Sequence, residues 1–128
     1  MKKMICLLVL FLLLFTACNS RPKVVAQDKK HLIALIQQEL QATPVGKVVD
    51  LNFIDVSQIT DMRNLFDPKE NIDLQYREID ISDWNVSNVT NMGWMFFGSQ
   101  FNGDISKWCS KNKKACDKEN LYRSTTWN

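Results

Sequence analysis

Histidine is almost missing: His31 stands alone in 128 residues. A single imidazole, at an amphipathic helix position, leaves most acid–base schemes without their usual side chain. Nucleophile elbows, phosphate loops and paired metal ligands are also absent from the sequence, and with them the commoner hydrolase and nucleotide-binding chemistries. No apolar run is long enough to span a bilayer, which takes about 20 residues. Continuous positive charge, which a nucleic-acid groove needs, is lacking too. These gaps point to a non-enzyme with no cofactor, no metal and no nucleic-acid partner, and to a single domain at most.

What the chain does have is a repeat. Asp80 to Phe96, DISDWNVSNVTNMGWMF, falls on Asp50 to Phe66, DLNFIDVSQITDMRNLF, after a shift of thirty residues. Six of the seventeen positions are identical: Asp50/Asp80, Val56/Val86, Ser57/Ser87, Thr60/Thr90, Met62/Met92 and Phe66/Phe96. A third copy opens at Asp104, where DISKW repeats DISDW after twenty-four residues. The longer first interval places an insertion of six within DPKENIDLQYREI, before Asp80. A period near two dozen residues predicts a solenoid whose units bury their apolar faces against one another. Alternation at Leu51, Phe53, Ile79 and Ile81 suits short strands. The three-residue spacing of Val56, Ile59, Met62 and Leu65, and of Val86, Val89, Met92 and Met95, predicts a short, tight helix in each unit. Ser57, Thr60, Ser87 and Thr90 then fall at helix-capping places.

The phrases FNGDISKW and DWNVSNVTNMGWMF resemble the repeat of the BspA-like leucine-rich-repeat surface proteins, including mycoplasma-type lipoproteins, whose units run close to FNxDISxWxVSxVTxMxxMF. The resemblance covers residues 50–108. It implies an α/β, leucine-rich-repeat-like solenoid of about two and a half repeats, on the bacterial surface. It further implies adhesion to host extracellular-matrix or other surface proteins. The first copy lacks Trp at Ile54, and the third stops after Trp108.

Upstream, Lys2 and Lys3 precede the apolar run Met4 to Phe15, which ends in FTAC. Residues 1–17 read as a signal peptide, and Ala17-Cys18 is similar to a lipobox, making Cys18 the expected lipidation site. An ordinary secretory signal ending near a cysteine is the alternative. Lipid on Cys18 would anchor the chain to the envelope at the outer membrane or cell surface without spanning it. Residues 18–27 read as a polar tether. The segment 28–46 reads as a capping helix begun by Asp28 and ended by Pro44 and Gly46, covering an open end of the repeats at 47–108. A membrane-surface helix is the rival reading, though it has few cations and no aromatic residue.

Charge is uneven. Residues 18–47 carry +3, residues 48–104 carry −7 and residues 105–128 carry +4. The Asp and Asn residues of the repeats invite a calcium reading, but they are strung through turn positions rather than converging on one point. Of the four cysteines, Cys109 and Cys116 remain after processing and read as a disulfide in the C-terminal cap, 109–128; a metal or redox pair is the alternative. Trp84 and Trp108 occupy equivalent slots and read as packing residues. Trp94 aligns with Asn64, a slot that accepts a polar side chain, and so reads as exposed and available for binding, or else as partly covered under the return loop. A second functional reading is a structural envelope lipoprotein that self-associates, or assembles with another envelope protein, through its unfinished repeat ends.

Overall fold

The computed structural model describes residues 21–74, 76–116 and 121, with the side chains of Lys114 and Cys116 left aside. The expected signal peptide, residues 1–17, and Cys18 lie outside the described residues. Strand β1 (Val24–Val25) leads to helix α1 (Lys29–Ala42), then β2 (Val49–Asp50), β3 (Ile54–Asp55) and β4 (Ile79–Asp80). Helix α2 (Trp108–Lys111) and a 3-10 turn (Lys113–Cys116) follow.

Every strand pairing has the same offset. Strand β2 pairs in parallel with β4, Val49 opposite Ile79 and Asp50 opposite Asp80, and Asp61 bridges Asn91 further along. Backbone amides of one copy find their acceptors in the next: Val49 N–H to Glu78 O at 2.9 Å, Leu51 to Asp80 O at 2.9 Å, Met62 to Asn91 O at 2.8 Å and Phe66 to Met95 O at 2.8 Å. Copies related by thirty residues therefore lie side by side in register.

The corners of each copy differ from the short helix that the spacing predicts. Among the described residues of the copies, turns replace it. Each corner follows one formula: Asp or Asn, then an apolar residue, two variable residues, and a second apolar residue. The Asx Oδ1 accepts the N–H two residues on, as Asp50 does from Asn52, Asp55 from Ser57, Asp61 from Arg63, Asp80 from Ser82, Asn85 from Ser87 and Asn91 from Gly93. The two apolar residues are joined by a four-residue β-turn: Ile54 N–H to Leu51 O, Ile59 to Val56 O, Leu65 to Met62 O, Trp84 to Ile81 O, Val89 to Val86 O and Met95 to Met92 O. Asx turns satisfy the donor that a helix would have left to a cap. Ser57 and Ser87 therefore sit on turns rather than at helix starts, and Thr60 and Thr90 meet across the copies, Thr90 N–H donating to Thr60 O at 2.7 Å.

Inside, the apolar pairs form one core. Phe66 and Phe96 stack with ring centres 5.5 Å apart and planes within 2°, and Phe101 continues the column at 4.3 Å. Trp84 and Trp108 stack at 6.2 Å and 5°. Both indoles also donate to the preceding copy, Trp84 Nε1 to Leu51 O at 2.9 Å and Trp108 Nε1 to Ile81 O at 3.1 Å. Gly103 fits here because a Cβ would stand 2.7 Å from the Phe101 ring.

Both ends of the paired copies are covered. At the start, β1 pairs with β3 at the same thirty-residue offset, Val24 opposite Ile54, and Ala26 is fully buried. Residues 24–26 therefore depart from the tether expected over 18–27 and lie docked on the first copy. Helix α1 begins where Asp28 accepts from His31 N–H at 2.7 Å, ends at Ala42 before Pro44, and buries Leu32 and Ile36. His31 is partly buried, with Nδ1 accepting from Gln27 N–H. At the far end Asn112 Nδ2 donates to Val86 O at 2.9 Å and Val89 O at 2.8 Å. Phe96 N–H donates to Leu121 O, and Leu121 is fully buried.

Replacing Trp84 by Phe keeps the stack but leaves Leu51 O without its indole donor. We expect a loss of about 1 kcal/mol with an unchanged urea m-value; an unshifted midpoint would show that the indole donor contributes nothing.

Candidate binding surface

With apolar positions turned inward and Asx residues committed to turns, the surface of the copies falls mostly to the residues between them. Trp94 and its counterpart Asn64 both sit in the left-handed region, at φ 60° and 54°. Asn tolerates that backbone, whereas a bulky residue is strained there. Trp94 is 38% exposed, its ring tilted on Phe97 at 5.0 Å. The polar residue in the equivalent slot thus reflects backbone conformation as much as exposure. The neighbouring copies meet here, Asn64 N–H donating to Gly93 O at 3.2 Å.

The insertion adds a second aromatic residue. Tyr76, at φ 63°, is 83% exposed and borders a groove of about 540 Å³ that Pro68, Leu74, Gly98 and Gln100 also line. Gly98, on the groove's wall, is the residue that follows Phe97 in the chain. Next along the insertion, Arg77 reaches the end of α1: Nη1 donates to Leu40 O at 3.0 Å and Nη2 to Thr43 O at 2.7 Å. A cation on a helix C-terminus satisfies carbonyls that the helix leaves open. The extra residues in the first interval thereby tie helix to copies. Sequence reasoning missed Tyr76 and Arg77: the insertion shows in the sequence, but nothing there places it beside the end of α1.

Two of the turn carboxylates of the paired copies are acidified by their own backbone. Asp80 is held below the ordinary value of 3.8, chiefly by the Ser82 N–H, and Asp55 likewise by the Ser57 N–H. Among the described residues no group of three or more His, Cys, Asp or Glu side chains is placed to hold a metal ion. Cys109 is engaged in a disulfide. Its expected partner, Cys116, has its side chain outside the described set, as does the whole of Cys18. No helix among the described residues is long and apolar enough to cross a membrane.

Tandem copies paired in register, closed by a helix at one end and a cross-linked segment at the other, define a small repeat protein. A family model described as "Mycoplasma protein of unknown function, DUF285" matches residues 37–127, and the chain belongs to that family. Neither the curated proteins nor the solved structures contain a significant match.

Two outcomes follow. A carboxylate whose folded pKa is depressed stabilises the fold above its unfolded pKa, and that contribution is lost as pH falls through the folded value. The urea midpoint is therefore expected to hold down to about pH 4 and to drop below it, with a shallower drop in Asp80→Asn; an equal acid response in the variant would contradict the turn assignment. Trp94→Asn relieves left-handed strain of about 1–2 kcal/mol while losing the Phe97 contact, so its midpoint should stay level or rise. A loss as large as that of a core tryptophan, about 3–5 kcal/mol, would place Trp94 in the core energetics instead.

Proposed function

We propose that this chain is a lipid-anchored bacterial surface lipoprotein. In this reading its paired copies form a short leucine-rich-repeat-like solenoid that serves as a non-enzymatic protein-binding or adhesion module. Cys18 carries the lipid, and the Trp94–Phe97 pair, together with the groove that Tyr76 borders, makes the contact. The observation that carries the reading is Trp94. A bulky aromatic residue is kept partly exposed on left-handed backbone, in a slot that Asn fills in the sister copy. Strain retained at a surface position is better explained by contact with a partner than by stability, and tryptophan is favoured at binding hot spots. Membership of the mycoplasma family supports the bacterial setting.

Self-association through unfinished repeat ends has less support. Residues 24–26 cover one end, and Asn112 and Leu121 stand against the other.

The test uses cells displaying the full chain. Trp94→Asn should abolish most adhesion to immobilised extracellular-matrix proteins while leaving surface amount unchanged, and Cys18→Ala should release the protein from the envelope. Equal adhesion by the Trp94 variant to every matrix protein bound by the parent would sink the site, and envelope retention of the Cys18 variant would sink the anchor.

A further inference from the structure

The lipid-anchored reading has a geometric consequence, because the chain is fixed to the domain almost as soon as it leaves Cys18. Arg21 holds Glu39 by both guanidinium nitrogens, Nη1 to Oε1 and Nη2 to Oε2 at 2.8 Å each. Its guanidinium lies 3.8 Å above the centre of the Phe53 ring. Paired hydrogen bonds and a stacked face make this a directed clasp rather than a loose surface ion pair. Glu39 holds its proton less readily than an ordinary glutamate, chiefly because of that hydrogen bond. Three residues later Val24 N–H donates to Phe53 O at 2.9 Å. Only Asn19 and Ser20 stand between Cys18 and the clasp, and three extended residue steps reach about 10 Å.

That short reach meets a particular surface. Among the described residues, four of the six large apolar side chains left exposed are near this end of the chain: Val24 at 37%, Val25 at 46%, Val45 at 87% and Val48 at 54%. Arg21 joins Glu39, in the last turn of α1, to Phe53, the residue before β3, with which 24–25 pairs. Lys23 and Lys47 are exposed within the same segments. Residues 18–47 carry +3, whereas the copies at 48–104 carry −7. An anionic lipid surface attracts the first and repels the second over roughly a Debye length, about 8–10 Å in physiological salt.

Resting on the lipid anchor at Cys18, we propose that the Arg21 clasp seats the valine- and lysine-bearing N-terminal end of the domain directly on an anionic bilayer surface. The copies are thereby held in one orientation, with the acidic body facing away. The headgroup layer of the membrane that carries the acyl chains is what these exposed valines meet. Acyl chains and a basic, partly apolar face together supply the two signals that stable membrane attachment uses.

The experiment takes the full chain, processed and acylated in a bacterial host and reconstituted in vesicles of phosphatidylcholine with phosphatidylglycerol. Spin labels are placed singly through Val25→Cys, Asn88→Cys and Ser110→Cys. A relaxation agent fixed to lipid headgroups should act several-fold more strongly at position 25 than at 88 or 110. Inserting ten Gly and Ser residues between Ser20 and Arg21, or using phosphatidylcholine alone, should shrink that contrast. Equal relaxation at all three positions in acylated protein overturns the seating but not the anchor, and stronger relaxation at 110 shows that the other basic end faces the lipid instead. A mass spectrum of the same sample that lacks diacylglycerol on Cys18 removes both proposals together.

Discussion

A backbone amide withdrawn from water must find an acceptor, and in this protein the acceptor belongs to the next copy of the same sequence. Leu51, Met62 and Phe66 each donate to a residue twenty-nine positions ahead, so a slip by one residue would misplace every inward side chain. Register and core therefore depend on each other. The Trp84 and Trp108 indoles add the same information from the side chain, each donating to a carbonyl of the copy before it.

Copies so joined leave amides and carbonyls open at both ends, and much of the remaining chain deals with them. Val24 and Ala26 donate across to Phe53 and Asp55. Helix α1 is held by Lys29, which donates to Arg63 O, and by Arg77 from the insertion. Asn112 uses a side-chain amide on two carbonyls of the second copy. Two full copies and a fragment fall short of the roughly three units such proteins usually need, and these closures make up the difference.

Much of this was legible in advance. Six identical residue pairs gave the thirty-residue offset, and Asp28 with Pro44 and Gly46 bracketed the helix. The turns were harder to read, because a stripe every third residue belongs equally to a tight helix and to chained β-turns. The deciding signal was the Asp or Asn ahead of each apolar pair, which supplies a turn acceptor that a helix interior does not use. Strand β1 was not legible: two valines have no period, and their role lies in backbone pairing. Arg21 and Arg77 were equally silent, since a cation's partner is set by a fold that brings residues 18 and 34–37 positions away within reach. At Trp94 the alignment indicated an unusual slot, but only the backbone angle explains why Asn shares it.

The direct test of the paired copies is nuclear Overhauser spectroscopy on the isotope-labelled protein. In-register pairing predicts cross-strand contacts between backbone protons of Val49 and Ile79 and of Asp61 and Asn91, together with slow amide exchange at Leu51, Met62 and Phe66. Contacts at any other offset, or fast exchange at those three amides while helix α1 stays protected, would contradict it.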